Sequence, residues 1–253
     1  MKRYFIHLAY NGSNYHGWQR QNNAHSVQAE LEKCLSLKLS KPIDIMGCGR
    51  TDTGVHARNF YAHFDFETIL DAEKTAVLVD ELNRFLPKDI VIYNIWEVPN
   101  DSHARFDALE RTYQYHIHDK KRVFGNTLSY FIFAKPDIDL MNQAASILLE
   151  YNDFTSFAKL HAQTKTNLCD IKSAFWTKHE DQLIFEITAD RFLRNMVRAI
   201  VGSLLEVGQG RRSLANFRQL IESQNRNAAG FSVPAHALFL DEIRYPEVIF
   251  KKY

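Results

Sequence analysis

The chain has 253 residues, 45% of them hydrophobic and 24% charged, with a formal net charge of +1. This is a globular composition, which excludes disordered, collagen-like and coiled-coil chains. The length lets one large domain or two intimate halves bury a core. The longest apolar run, near Tyr130–Ala134, falls far short of the roughly 20 residues that cross a bilayer. Met1-Lys2-Arg3 is followed by no apolar stretch before His7 and the Asn11-Gly12-Ser13-Asn14 turn, so no secretory signal is expected. Cys34, Cys48 and Cys169 are odd in number and far apart. They form neither a disulfide framework nor a CxxC pair and suit a reducing cytoplasm. The small net charge gives no overall attraction to nucleic acid, though a local basic surface balanced elsewhere stays open.

In chain order, Tyr4, Ile6, Leu8 and Tyr10 alternate and predict a strand over 3–10. Ser26 can cap a helix with the apolar stripe Val27, Leu31, Cys34, Leu35 and Leu39. Ile43–Cys48 and Asn59–Phe66 read as strands. Ala72, Ala76, Val79, Leu82 and Leu86 mark a helix ended by Pro87, and Ile90–Trp96 is a strand. The second half repeats the order. Tyr113, Tyr115 and Ile117 share a strand, and Leu140, Ala144, Ile147 and Leu148 share a helix. Strands follow near 171–178 and 183–189. An amphipathic helix then carries Phe192, Leu193, Met196, Val197, Ile200, Val201, Leu204 and Leu205, with a small helix near 213–222 and a last strand near 237–245. The pattern β-α-β-β-α-β therefore occurs twice. It predicts an α+β fold of two ferredoxin-like halves, 1–104 and 105–253, joined in a continuous antiparallel-rich sheet with a cleft between them.

The chemistry concentrates in Gly47-Cys48-Gly49-Arg50-Thr51-Asp52-Thr53-Gly54-Val55-His56-Ala57. Three glycines flank one carboxylate between two strands. Glycine allows positive φ and close approach of backbone to a ligand, so the loop can present Asp52 at the mouth of a cleft. A plain glycine-rich turn capped by Asp52 is the competing reading. Neither GxxxxGK[ST] nor GxGxxG is present.

The string Gly49–Ala57 resembles the GRTDxGVHA signature of the TruA family of tRNA pseudouridine synthases. Further blocks follow in order. Tyr10–Gln21 is similar to YDGxxYxGWQxQ, Ser26-Val27-Gln28 with Leu31-Glu32 to TVQxxLE, and Leu82-Asn83 with Leu86-Pro87 to LNxxLP. His103–Phe106 with Arg111–Tyr115 is similar to FHARF and RxYxY, Asn152–Phe157 to NDFTSF, and Phe192-Leu193 with Met196–Arg198 and Gly202 to FLxxMVRxxxG. Thr53, Asn11, Phe60, Glu150 and Ala237 depart from the pattern. Phe60 stands where glutamine is common, which predicts the loss of a polar contact. Ala237 replaces the glycine of PAxGLxL beside Leu238.

The resemblance implies isomerisation of uridine to pseudouridine in the anticodon arm of tRNA, at positions 38 to 40. Breaking a glycosidic bond builds positive character at C1′, for which a carboxylate is the natural partner, and Asp52 is the implied catalytic residue. A buried carboxylate tends toward its neutral form unless a guanidinium faces it; Arg198 is the implied partner. Tyr113 is implied to stack on the extruded base and Leu238 to wall its other side, while Tyr115 reads as core. Arg198 is expected on one helical face with Arg191 and Arg194, which suit phosphate contacts. Arg50, His56 and Arg58 beside Asp52 suit the displaced backbone. Arg105, with His103, Arg111 and Lys120-Lys121-Arg122, adds an RNA-facing surface; the Lys120–Arg122 run reads equally well as a solvated loop. The reaction is redox-neutral, so no cofactor is expected. The eleven histidines show no HExxH, so no metal is expected. A homodimer on tRNA in the cytoplasm is implied. The competing functions are an RNA chaperone of the same fold and a nucleoside hydrolase.

Overall fold

The computed structural model describes residues 1–159 and 166–250. Two compact units emerge, Met1–Leu109 with Leu240–Tyr253, and Glu110–Phe239. The C-terminal stretch thus returns to the first unit, where Leu109 N–H donates to the Arg244 carbonyl at 2.8 Å and the Tyr245 hydroxyl to the Ala104 carbonyl.

In the first unit, β1 (Lys2–Tyr10) lies between β3 (His56–Phe66) and β4 (Ile90–Val98), antiparallel to both. Alternation turns Tyr4, Ile6, Leu8, Phe60, Ala62 and Phe64 to one buried face. Helix α1 (Val27–Leu39) contributes Leu31 and Leu35 to the core, and α2 (Ala72–Phe85), which packs on β4 and α1, contributes Leu78 and Leu82. Ser26 caps α1 as expected, its Oγ accepting from Ala29 N–H. The expected strand at 43–48 shrinks to β2 (Met46–Gly47), which pairs with β3. The reason is local. Ile45 N–H donates to Glu32 Oε1 at 3.1 Å and its carbonyl accepts from Gln28 Nε2 at 2.9 Å, so side chains of α1 take the bonds a ladder would have used.

The opposite face of β1 and β3 is aromatic. His7 stacks on Tyr61 at 4.6 Å, and Tyr245 and Phe250 pack edge-on against Phe5. His63, on the same strand face as Tyr61, accepts from Ala104 N–H at Nδ1 (3.1 Å).

The second unit pairs β5 (Glu110–His118) with β8 (Gln182–Ala189), and β8 with β7 (Ile171–His179), all antiparallel. The short β6 (Tyr130–Phe131) runs parallel to the end of β5. Helix α3 (Ile138–Ile147) packs on β7 and on α4 (Met196–Gly208), which α5 (Leu214–Glu222) flanks. The strand β9 (Leu238–Arg244) follows.

The expected amphipathic helix over Phe192–Leu205 is corrected at its start. Asn195 adopts φ +67°, so α4 begins only at Met196 and Arg191 and Arg194 lie in the preceding loop. They share no helical face with Arg198. Every residue of α4 is buried except Arg198 and Glu206. It is a central helix rather than a half-exposed one, and Glu206 pairs with Arg212 at 2.8 Å.

Burial, aided by the nearby Arg3 and His103 charges, pushes the His63 imidazole down to about 4. An unfolded imidazole near 6.5 binds a proton that the folded one refuses. This contribution to stability is therefore full above pH ~6.5 and is lost as pH falls toward ~4, by up to about 3 kcal/mol. Urea midpoints measured from about pH 7 to about pH 5 should fall in the wild type and fall less in His63→Gln, whose amide oxygen still accepts from Ala104. Equal slopes would contradict the assignment.

Candidate active site

The Asp52 turn joins β2 to β3, with Val55 N–H donating to the Asp52 carbonyl at 3.1 Å. Its seat is the segment that follows β1. Trp18 N–H donates to the Thr51 carbonyl (3.4 Å), Gly54 N–H to the Tyr15 carbonyl (3.3 Å), and the Tyr10 and Thr51 hydroxyls are 2.9 Å apart. Gly17 adopts φ +87°, and a Cβ there would stand 2.3 Å from the Thr51 carbonyl oxygen. No other residue permits that backbone approach. The two motifs flanking α1 in sequence are thus the two halves of one support, and Asp52 sits half-buried on top of it.

The layer beneath is apolar. Trp18 stacks on Phe60 at 4.0 Å, and Tyr10 meets Phe60 edge-on at 5.5 Å. Phe60 is fully buried. The expected loss of a polar contact at that position is therefore a gain of packing. On the far side, Arg20 reaches Glu32 at 2.8 Å and its N–H donates to Gln28 Oε1 at 3.0 Å. Gln28 Nε2 donates to Glu32 Oε1 at 2.8 Å. These bonds satisfy the buried Gln28 and Glu32 side chains, which would otherwise be costly to bury, and they tie the opening motif to α1.

Of the cations expected near Asp52, Arg50 is exposed in the loop. Arg58, exposed on β3, pairs with Asp241 at 2.7 Å, while Asn59 Nδ2 donates to the Asp241 carbonyl at 2.7 Å. His56 is different. It is 1% exposed, and its Nδ1 accepts from Gly12 N–H at 3.0 Å. A ring so enclosed supports the loop from inside. Arg105 is exposed near Phe106, whose ring leans on His103 at 4.3 Å.

In the second unit Tyr113 is half-buried on β5, edge-on to Phe192 at 5.1 Å. Tyr115, two residues on, is fully buried, and its hydroxyl donates to the Pro234 carbonyl at 2.9 Å. Burial pushes that phenol far above its ordinary value. Arg198, in the first turn of α4, donates from Nε to the Val233 carbonyl at 2.7 Å and accepts at its own carbonyl from Val233 N–H at 3.2 Å. Leu238, at the start of β9, is 5% exposed and follows a buried Ala237. Arg191 is half-buried and Arg194 exposed. Arg111 donates to the Asp190 carbonyl at 2.7 Å, and Arg122 forks onto Asp181. These are structural partners for two cations of the expected RNA-facing surface. Among the described residues no group of three or more His, Cys, Asp or Glu could hold a metal ion, and no helix is long and apolar enough to cross a membrane.

Pro234 opens the block similar to PAxGLxL, but the part played by the Val233 and Pro234 carbonyls escaped the sequence reading. The local signal at Val233 is that a residue before proline favours an extended backbone.

A family model described as tRNA pseudouridine synthase matches residues 144–246. Over its full length the chain is 52% identical to the tRNA pseudouridine synthase A of Bacteroides thetaiotaomicron, covering 94% of that protein. It is 51% identical to that of Parabacteroides distasonis, with 99% of this chain and 98% of that protein covered. It is 40% identical to that of Clostridium acetobutylicum, with 97% and 100% covered.

Two substitutions probe the support. Gly17→Ala, strained in φ and crowded against Thr51, should destabilise by roughly 1–3 kcal/mol and speed hydrogen exchange at the Trp18 and Gly54 amides. Phe60→Gln removes a buried ring and buries an amide, and should lower unfolding stability by about 3 kcal/mol or more in urea titrations.

Proposed function

The chain belongs to the tRNA pseudouridine synthase A family, and on that footing we propose how its residues carry the reaction. It isomerises uridine in tRNA to pseudouridine. What carries this reading is identity of about half, end to end, with proteins named for that activity. Nothing favours a non-catalytic RNA chaperone.

The N1–C1′ bond breaks, the uracil turns, and C5 bonds to C1′. The C5 proton leaves, N1 gains one, and electrons balance without an oxidant. Asp52 is the carboxylate that attacks the sugar, attacks C6 of the base or takes a sugar proton, and it is held by a loop braced on its seat. Arg198 is the guanidinium that keeps this carboxylate charged and aimed. Tyr113 stacks on the uracil drawn out of the RNA, and Leu238 closes the other side of the ring; extrusion costs a few kcal/mol. Arg50, Arg58, Arg105, Arg191 and Arg194 contact the RNA backbone. The target uridines are those of the anticodon arm at positions 38 to 40, and the enzyme works as a cytoplasmic homodimer without cofactor or metal.

The support for these roles is positional. Asp52 is half-buried on a braced turn, and Arg198 is the one cation of a helix that is otherwise buried save for Glu206.

The decisive experiment uses tRNA tritiated at uracil C5. Wild-type enzyme should release tritium. Asp52→Ala should release none above background, a loss of roughly a thousandfold or more, while still retaining tRNA on a filter. Release that survives the substitution removes Asp52 from the chemistry.

A further inference from the structure

Among the side chains of the second unit, Tyr115 has a buried hydroxyl that the reaction as described does not use. It belongs to a chain of contacts along residues 230–234. Gly230 N–H donates to Ser203 Oγ at 3.0 Å, and Ser203 Oγ donates to the Ala199 carbonyl at 3.0 Å. A Cβ on Gly202 would stand 1.9 Å from the Phe231 carbonyl oxygen, so helix and strap touch backbone to backbone. Ser232 Oγ accepts from Asn195 Nδ2 at 2.6 Å and from Arg226 at 2.8 Å. Val233 is bonded to Arg198 in both directions, and Pro234 to Tyr115. Each of these five residues is thus fixed to α4, to its N-terminal flank or to β5.

We propose that Tyr115 is a positioning residue for the isomerisation, acting through the Val233–Pro234 carbonyls to hold the Arg198 guanidinium in one orientation. The inference rests on reading Arg198 as the partner of Asp52.

A guanidinium has a long stem and would otherwise sample several rotamers. Its Nε–H bond to a carbonyl selects one of them, and only if that carbonyl stands still. Val233 is buried, its N–H is taken by the Arg198 carbonyl, and the next carbonyl is held by the Tyr115 hydroxyl. The bond from Tyr115 thus lies one peptide away from the bond that orients Arg198. The strap then runs directly into Leu238, so the same anchor sets where β9 begins. Loss of the phenol leaves a buried carbonyl without that donor, which favours a shift of the peptide. A shift of about 1 Å in a positioned group can cost on the order of a hundredfold in rate.

The test is a double-mutant cycle on Tyr115 and Arg198, read by tritium release from C5-labelled tRNA. Tyr115→Phe keeps the ring and should lower kcat about tenfold and the melting temperature by only a few degrees, leaving KM for tRNA nearly unchanged. Arg198→Lys keeps the charge but has no Nε–H with which to reach Val233. In that background Tyr115→Phe should change kcat by less than about twofold. A side-chain NMR signal gives a readout independent of activity. The Arg198 Nε–H resonance, identified by its absence in Arg198→Lys, should be protected from exchange in the wild type and lose protection in Tyr115→Phe. If Tyr115→Phe is poorly folded, Gly202→Ala displaces the same strap from the helix side and should show the same split between kcat and KM. Fully additive losses, a change confined to KM, or an Arg198 Nε–H unaffected by Tyr115→Phe would overturn the inference while the activity stands. Failure of the wild type to release tritium would bring down the function and the inference together.

Discussion

The Asp52 turn depends on one backbone-to-backbone approach. The Thr51 carbonyl lies against Gly17 so closely that a methyl group has no room, and Trp18 N–H closes the contact. A hydrogen-bonded loop seated this way loses little further freedom when its side chain is used. Every other feature around it serves the same end. Trp18 and Phe60 stack beneath it, Tyr10 bonds Thr51 from the side, and His56 accepts from Gly12 behind it. The loop is anchored from β1, the opening motif and β3 together, and α1 holds the opening motif in turn.

The second unit solves the matching problem for a cation. A helix buried on nearly all sides can carry an arginine only where a neighbour leaves space and supplies acceptors. The 230–234 strap does both, and small residues make the approach possible. Gly202 and Gly230 lie at the closest point, with Ser203 turning a packing contact into a hydrogen bond. Where the first unit fixes a loop on a segment, the second fixes a segment on a helix.

Much of the fold was legible. Among the described residues, eight of the nine strands and all five α-helices stand at or near their predicted places, because alternation and the helical period are properties of consecutive residues. The exceptions are instructive. The strand expected at 43–48 is shortened by Gln28 and Glu32, which lie elsewhere in the chain and capture the Ile45 backbone. The helix expected from Phe192 begins late because Asn195 turns left-handed. The short β6 carried no usable period at all. In the site, the family blocks drew the eye to Asp52, Tyr113 and Arg198, yet many of the residues in those blocks turn out to be scaffolding. Asn83 bonds the Ile92 backbone in both directions at 2.8 Å, Asp153 accepts from Thr155, and Ser156 donates to the Leu220 carbonyl at 2.6 Å. Glu150, a departure from the pattern, is taken up by Arg218.

By itself the sequence determined the order and kind of the elements, the carboxylate in its glycine-lined turn and the family to which these blocks point. Those are local facts, written in spacing and residue type. Only the tertiary structure decided that His56 faces inward, that Phe60 fills a core site, that Arg191 and Arg194 share no face with Arg198, and that Val233 and Pro234 hold Arg198 and Tyr115. Each of those depends on which distant segment lies opposite, and burial and hydrogen-bond partnership across such a gap are set by packing in three dimensions rather than by neighbours along the chain.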